Sequence, residues 1–183
     1  ELEDKNISAV VLVNPTYQGY SSDLTKLIEK LHAYDLPVLV DEAHGTHFAF
    51  STETQLPKSA LKAGADLVVN SLHKSCSGLS QTAVLWKQGD RVDPMSIQRS
   101  ISIFQTTSPS TLLLASCENS LFEFAQPLGQ NRLRRRIREA RKMFENLGCK
   151  GIPLLQSQDP LKFILHTASI GISGMEADKF FLS

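Results

Sequence analysis

The chain lacks the features that mark secreted, membrane-spanning and nucleic-acid-binding proteins. Its 183 residues include only three cysteines, widely spaced and without a CxxC pair, so neither a disulfide framework nor a metal motif is indicated. No apolar run approaches the roughly 18 residues of a membrane span, and no signal-peptide succession opens the chain. Nineteen basic residues balance nineteen acidic ones, which gives no reason to expect nucleic acid as a partner. We therefore expect a protein of a reducing, cytoplasmic compartment, with no metal site and no membrane contact.

What the chain does contain is an alternation of apolar strand-like runs and amphipathic helical segments. The strand-like runs lie at residues 7–13, 38–40, 67–69 and 82–86. The first helical segment begins at Ser21 or Ser22. Its apolar face carries four residues, Leu24, Leu27, Ile28 and Leu31. A shorter helix begins at Pro57 and ends at a glycine, Gly64. This alternation predicts the α/β class with a mostly parallel sheet.

The second half of the chain has a helical pattern. Helices are predicted at residues 96–104, 110–124 and 129–147. The last is rich in arginine, and Gly148 and Gly151 are expected to end it. Residues 161–165 are typical of a strand in a different sub-domain. The chain begins almost at once with a strand pattern and stops among apolar residues, so we expect it to be a piece of a longer protein.

Two polar segments follow buried strand patterns directly. They are Asp41-Glu42-Ala43-His44-Gly45 and Ser71-Leu72-His73-Lys74. The carboxyl ends of parallel strands meet at one edge of a sheet, where ligands bind. A lysine amine there forms a Schiff base with an aldehyde, and a carboxylate keeps a pyridine nitrogen protonated. The pairing of Lys74 with Asp41 therefore favours pyridoxal 5'-phosphate as cofactor.

Neighbouring residues suit other parts of this cofactor, although each also has a purely structural interpretation. The hydroxyl of Ser71 and the imidazole of His73 suit a phosphate, but His73 is equally interpretable as a hydrogen-bonded structural histidine. Ala43 and Gly45 are small enough for a flat ring to approach, or they allow ordinary close packing. Asp41 taken alone is interpretable as the cap of the turn that follows it.

A hydroxyl cluster lies further along the chain. Thr106-Thr107-Ser108 precedes a helix that begins after Pro109, and hydroxyls at a helix N-terminus suit an anion. Plain capping of that helix is the alternative.

Five stretches, in this order, make the chain similar to a known family. They are Pro15-Thr16-Tyr17-x-Gly19, Asp41-Glu42-Ala43-His44-Gly45-x-His47-Phe48, Ser71-x-His73-Lys74, Gly78-Leu79-Ser80-Gln81 and Thr106-Thr107-Ser108-Pro109-Ser110. The chain resembles the fold-type-I ornithine/lysine/arginine decarboxylases over most of residues 7–125. A weaker family-like segment lies at residues 171–178.

The resemblance implies specific roles around the ring of the cofactor. Lys74 would be the Schiff-base lysine and Asp41 the partner of the pyridine nitrogen. Ala43 would pack on one face of the ring, and His44 would lie near its phenolic oxygen. The reaction implied is decarboxylation of a small basic amino acid (arginine, lysine or ornithine) to an amine of polyamine metabolism and CO2.

The resemblance also implies how the phosphate is held and how subunits associate. Ser71 and His73 would hold the phosphate. Thr106 would reach the phosphate of the neighbouring subunit's cofactor, which implies a homodimer or higher homo-oligomer with a shared active site. The family's phosphate loop and ring-stacking histidine would lie upstream of residue 1, so we expect the longer protein to be active and this piece alone to be inactive.

The same resemblance implies a domain organisation. Residues 1–125 would be part of an aspartate-aminotransferase-like large domain that binds the cofactor. Residues 126–183 would form a linking helix and the start of a smaller α+β domain.

Three other classes of protein and one other partner remain open. Lysine and aspartate alone do not separate a decarboxylase from an aminotransferase or another lyase that uses the same cofactor. A non-catalytic truncated paralogue that pairs with an intact enzyme is a further alternative. The stretch Asp41-Glu42-Ala43-His44 also spells the Walker-B segment of DEAH-type ATPases, but the chain has no Gly-x-x-x-x-Gly-Lys-Ser/Thr loop. The arginine-rich helix could indicate RNA as a partner. The alternative is that its arginines form a solvated face or a contact between subunits.

Overall fold

A four-stranded sheet organises the part of the chain that the structure, a computed structural model, describes: residues 7–51, 56–149 and 157–161. Its strands lie side by side in chain order: β1 (Val10–Val13), β2 (Val38–Asp41), β3 (Leu67–Ser71) and β4 (Ala83–Lys87). The first three strands are parallel, and β4 runs antiparallel to β3. The predicted α/β class and mostly parallel sheet are therefore confirmed.

The main core lies on one face of this sheet. Alternate residues of a strand point to the same face, and Val38, Val40 and Val68 are fully buried there. Two helices cover them, α1 (Leu24–His32) and α3 (Ala60–Ala63). Burial of each large apolar side chain stabilises the fold by roughly 1.5–3 kcal/mol.

The first helix follows its predicted apolar face with one exception. Leu24, Ile28 and Leu31 are buried, whereas Leu27 is 37% exposed. The predicted cap at Ser21 or Ser22 is wrong: the side chain of Asp23 accepts from the backbone N–H of Lys26 at 3.5 Å.

The start predicted for the second helix is also wrong, but its end is confirmed. The helix begins after Ser59 rather than at Pro57, and the Ser59 hydroxyl accepts from the N–H of Lys62. Gly64 ends the helix at a φ of 100°, a left-handed conformation in which a side chain is strained.

Two short helices that the sequence did not predict follow the polar segments. They are α2 (Thr46–Phe50) and α4 (Leu72–Ser75), and they contact each other. Lys74 therefore lies on a single helical turn that begins directly after β3.

Three longer helices complete the described chain: α5 (Pro94–Phe104), α6 (Thr111–Ala125) and α7 (Pro127–Cys149). All three were predicted, but α7 continues through Gly148, so the prediction that Gly148 ends it is wrong. A glycine in a helix costs only about 1 kcal/mol relative to alanine, which favourable neighbours outweigh. Gly151 and most of the predicted strand 161–165 lie outside the described residues; Leu161 itself lies in a turn.

The arginine-rich helix α7 packs against residues of the first half of the chain through one apolar stripe of side chains. Leu133 and Ile137, one turn apart, form a second core cluster with Phe48 and Leu56. Arg135 and Arg136, on the solvated side, lie 3.5 and 3.4 Å from carboxylate oxygens of the neighbouring Glu139. These contacts favour a solvated face over an RNA-binding surface.

Candidate active site

The loops after the first three strands meet at the carboxyl edge of the sheet. The backbone N–H of Asn14, just after β1, donates to the carbonyl of Asp41 at 3.0 Å. The N–H of Glu42, just after β2, donates to the carbonyl of Val69 at 2.9 Å. The side chain of Thr46 donates to the carbonyl of Ser71 at 3.1 Å. The two predicted segments, after β2 and after β3, are therefore joined as the parallel sheet requires.

Asp41 is the last residue of β2 and is half-buried. Its Oδ1 accepts from the backbone N–H of Ala43 at 3.0 Å, so the turn-capping interpretation accounts for one carboxylate oxygen. Within the described ranges no hydrogen bond or ion pair involves Oδ2. One oxygen thus shapes the turn, and the other remains available to a ligand.

Lys74 and His44 lie in contact. The Nζ of Lys74 is 3.2 Å from the Nε2 of His44. Because an ammonium group can only donate, Nε2 is the acceptor, which leaves the imidazole hydrogen on Nδ1. The ring of Tyr17 meets the His44 ring edge-on, with centroids 5.0 Å apart. The contact unites a residue from each of the two predicted segments.

Ser71 and His73 surround the start of the helical turn that carries Lys74. Ser71 is the cap residue of α4, but its hydroxyl makes no capping hydrogen bond. The Nδ1 of His73 is 2.9 Å from the carbonyl of Thr82; since a carbonyl only accepts, Nδ1 carries a hydrogen. The structural interpretation of His73 therefore holds for Nδ1, while Nε2 belongs to an exposed side chain.

Ala43 and Gly45 pack within the loop after β2. Ala43 is 9% exposed. A Cβ on Gly45 would lie 2.5 Å from Cδ of Pro15 and 2.8 Å from the ring of Phe48. For Gly45 the packing interpretation is therefore sufficient.

Thr106 is not brought together with the other predicted site residues. It lies exposed between α5 and α6, and its hydroxyl accepts from the N–H of Ser108 at 3.2 Å. Ser110 caps α6 by accepting from the N–H of Leu113. The hydroxyl of Thr106 thus serves a local turn, and the cap of α6 is Ser110 rather than one of the three residues in the predicted cluster.

Three polar residues that join the two segments were missed from the sequence: Glu42, Thr46 and Asn70. Glu42 and Asn70 are fully buried and hydrogen-bonded to each other, with Asn70 Nδ2 3.2 Å from Glu42 Oε2. The available signal was Asn70 itself, an amide that continues the buried run Leu67-Val68-Val69. A polar side chain there must find a buried partner.

Among the described carboxyl groups, that of Glu42 has the pKa furthest from its ordinary value. Burial raises the pKa of Glu42 to about 7, against a lowering by its hydrogen bonds from Ala60 N–H and the Asn70 amide. Because this carboxyl holds its proton in the folded state between about pH 4.5 and about pH 7, folding takes up a proton there. The free energy of unfolding should therefore fall as pH rises through that window, and then level off.

Replacement of Glu42 by glutamine should flatten this fall. Glutamine mimics the protonated carboxyl and cannot ionise. The free energy of unfolding of the variant should therefore not show the fall of up to about 3 kcal/mol that the wild type shows across this pH window. Urea unfolding at a series of pH values measures it. The matched control is Glu139→Gln, at an exposed position on α7, which should leave the pH dependence unchanged. An unaltered slope in Glu42→Gln would contradict the assignment.

The groups at this edge fit pyridoxal 5'-phosphate. Within the residues that the structure describes, the fit rests on the Asp41 oxygen without a hydrogen-bond partner, the Lys74 amino group beside Nε2 of His44, the Ser71 hydroxyl without a cap bond and the exposed His73 ring. Among the described residues, no group of three or more His, Cys, Asp or Glu side chains could hold a metal ion. In the same part of the chain, no helix has the length and apolar character to cross a membrane.

Comparison with known proteins gives a consistent result. A family described as "Orn/Lys/Arg decarboxylase, major domain" matches residues 1–158. An arginine decarboxylase of Bacillus cereus is 36% identical over 96% of this chain and 40% of its own length. One of Bacillus subtilis is 35% identical over 97% of this chain and 38% of its own. The chain thus spans about two fifths of the length of these curated relatives.

The fold has a counterpart among solved structures. The constitutive lysine decarboxylase of E. coli superposes with a TM-score of 0.63 at 24% identity, over 76% of this chain and 20% of that one. This similarity shows a shared fold. The match over residues 1–158 and the identity with the Bacillus relatives show that the chain belongs to the Orn/Lys/Arg decarboxylase family, within its major domain.

Proposed function

We propose that the full-length protein decarboxylates a basic amino acid (arginine, lysine or ornithine) with pyridoxal 5'-phosphate. The observation that carries the proposal is the contact of Lys74 with His44 on the same sheet edge as the available oxygen of Asp41. Relatives named arginine decarboxylase support the reaction class. Family membership also removes the basis for the DEAH-type ATPase alternative.

Each site residue has a chemical task under this proposal. When bound, the cofactor supplies an electron-withdrawing ring that stabilises the charge left at the substrate's α-carbon as CO2 departs. The carboxylate of Asp41 holds a proton on the ring nitrogen by ion pairing. Nε2 of His44 accepts a hydrogen bond from Lys74 and so holds in place the amino group that would act as the nucleophile. The Ser71 hydroxyl and the His73 imidazole would bind the phosphate.

Product analysis tests the reaction. The full-length protein is incubated with the cofactor and each basic amino acid, and CO2, amine and keto acid are measured. Stoichiometric CO2 and amine are expected from one of the three substrates. Keto acid without CO2 would identify an aminotransferase instead, and no product from any of the three substrates would favour the non-catalytic paralogue.

We further propose a cytoplasmic location and a role of the amine product in polyamine metabolism.

The domain organisation is part of the proposal. Residues 1–125 are assigned to a fold-type-I large domain, and residues 126–183 to a linking helix and the start of a small domain. The second face of the sheet supports a need for further chain, because Val11 and Val13 are 68% and 62% exposed, whereas parallel sheets are normally covered on both faces. We further propose that this piece of chain is inactive by itself.

Association of two or more subunits is the last part of the proposal. Large apolar side chains are exposed on both sides of the loop that carries Thr106: Ile103 at 75%, Phe104 at 88% and Leu112 at 67%. An apolar surface of this kind marks an interaction site. A second subunit that covers it would bring Thr106 to a site that its own chain does not reach.

Replacement of Phe104 by glutamate should therefore weaken association. A charge within a desolvated contact is unfavourable, so the molar mass in solution should shift toward that of the monomer and activity should fall with it. Light scattering after size exclusion measures the mass. Tyr34→Glu is the control, since Tyr34 is also exposed, at 43%, but follows α1. An unchanged mass for Phe104→Glu would argue against this surface as the interface.

A further inference from the structure

A chain of buried polar groups connects the two halves of the candidate site. Glu42 directly follows Asp41, and Asn70 lies four positions before Lys74. Both are 0% exposed. Burial of polar groups in a sheet core is costly unless they are fully hydrogen-bonded. Their partners therefore show what these residues do.

The orientation of the Asn70 amide is fixed by its neighbours. The indole Nε1 of Trp86, on β4, donates to Asn70 Oδ1 at 2.8 Å. Because an indole N–H can only donate, the amide oxygen must face Trp86 and the amide nitrogen must face the other way. There Nδ2 lies 3.2 Å from both the backbone carbonyl and Oε2 of Glu42. Both hydrogens of the amide are thus directed at one residue.

The network continues beyond Glu42. The other carboxylate oxygen, Oε1, accepts from the backbone N–H of Ala60 at 2.7 Å, at the start of α3. One connected set of hydrogen bonds therefore joins β4, β3, the turn after β2 and α3. Its two central members adjoin the chain segments that carry Asp41 and Lys74.

We propose that Asn70 is a positioning residue, which holds the Asp41 turn at a fixed distance from the Lys74 turn through its two hydrogen bonds to Glu42. The inference rests on the proposed function, since it takes Asp41 and Lys74 as the groups that act on the cofactor. The Asn70 amide hydrogen-bonds to Glu42 and Trp86 rather than to either of them, and it would act through the backbone to which they belong.

The physical reason is that catalysis is sensitive to small displacements. A shift of about 1 Å at a reacting group can cost about 100-fold in rate. Backbone pairing between β2 and β3 reaches only Asp41 and Val69. Beyond that point β2 has ended, although β3 continues to Ser71 in its pairing with β4. There the Asn70 amide continues the connection between the two segments.

The test replaces Asn70 by aspartate in the full-length protein with cofactor. The side chain keeps its shape but loses both donors to Glu42. We expect kcat to fall by at least about tenfold while KM changes by less than about threefold, because orientation is lost rather than substrate binding. The second readout is the fraction of Lys74 that becomes a pyridoxyl adduct after borohydride reduction, measured by peptide mass spectrometry. It should fall too.

Two further variants separate positioning from stability. Trp86→Phe removes the N–H that orients the amide, together with part of a ring that packs against the core. It should lower kcat and Lys74 labelling in the same direction by a smaller factor. Ile28→Val trims a fully buried core residue of α1 and should lower the melting temperature without changing kcat or labelling. If Asn70→Asp does not fold, Trp86→Phe carries the test alone.

The outcomes are distinguishable. Unchanged kcat and unchanged Lys74 labelling in a folded Asn70→Asp protein, or in Trp86→Phe where that variant carries the test, overturn the inference and leave the proposed function intact. An equal fall in Ile28→Val also overturns it, because loss of stability alone would then suffice. A wild-type protein that neither labels on Lys74 nor releases CO2 overturns both proposals.

Discussion

Replacement of Lys74 by arginine should abolish decarboxylation and the borohydride-stable adduct in the full-length protein. Arginine keeps the positive charge and can still donate to Nε2 of His44, 3.2 Å from Nζ in the wild type. Its guanidinium does not lose a proton in proteins and so cannot act as the amine nucleophile. Loss of a residue that bonds the cofactor should lower kcat by at least about 10³-fold. CO2 release and peptide mass spectrometry measure the two effects.

The control is a lysine outside the site. Lys58 is exposed, and its Nζ donates to the hydroxyl of Thr25 at 3.1 Å, a bond that arginine can also make. Lys58→Arg should retain both the adduct on Lys74 and the activity. If Lys74→Arg kept its activity and carried the adduct on another lysine, Lys74 would not be the reactive residue.

The polar ends of β2 and β3 could be predicted because they depend on local information. An apolar run long enough for a buried strand precedes Asp41 directly and precedes Ser71 with only Asn70 between them, which places both residues at a strand end. The parallel arrangement then brings strand ends to one edge. The contact of Lys74 with His44 is the result of two such local patterns and one topological rule.

The connections between these segments could not be predicted in the same way. The bonds from Thr46 to Ser71 and from Asn70 to Glu42 join residues more than twenty positions apart, and they depend on the register of β2 against β3. One residue of slip would turn each side chain to the opposite face. A single sequence does not specify that register.

The short helices and the cap of α1 could not be predicted correctly for a different reason. The five residues of α2 and four residues of α4 span little more than one turn, so no period of 3.6 is visible in them. Ser21, Ser22 and Asp23 are adjacent and all have cap-forming side chains. Which of them caps α1 is decided by the direction from which the chain enters.

Asp41 has two interpretations, as the cap of a turn and as the partner of a ring nitrogen, which make different demands on its side chain. As the cap of a turn, Asp41 needs only one acceptor atom, and Oδ1 provides it to the N–H of Ala43. As the partner of a ring nitrogen, it needs a negative charge. Asparagine retains the acceptor and removes the charge, so a single substitution distinguishes the two roles.

We therefore expect Asp41→Asn to fold normally and to lose most of its activity. Removal of one partner from a desolvated charge pair costs about 3–5 kcal/mol, which corresponds to a fall of roughly 10²- to 10⁴-fold in kcat/KM. Affinity for pyridoxal phosphate, measured by equilibrium dialysis, should fall as well. The melting temperature without cofactor should stay near that of the wild type, because the turn is still capped.

Asp41→Ala completes the comparison, since it removes both the charge and the cap. Its melting temperature should fall where that of Asp41→Asn does not, by an amount that corresponds to one lost capping bond of about 1 kcal/mol. Its activity should be as low as that of Asp41→Asn, because the charge is absent in both. If Asp41→Asn were instead fully active and only Asp41→Ala impaired, the carboxylate would be a turn cap alone, and the cofactor ring would require another acidic partner.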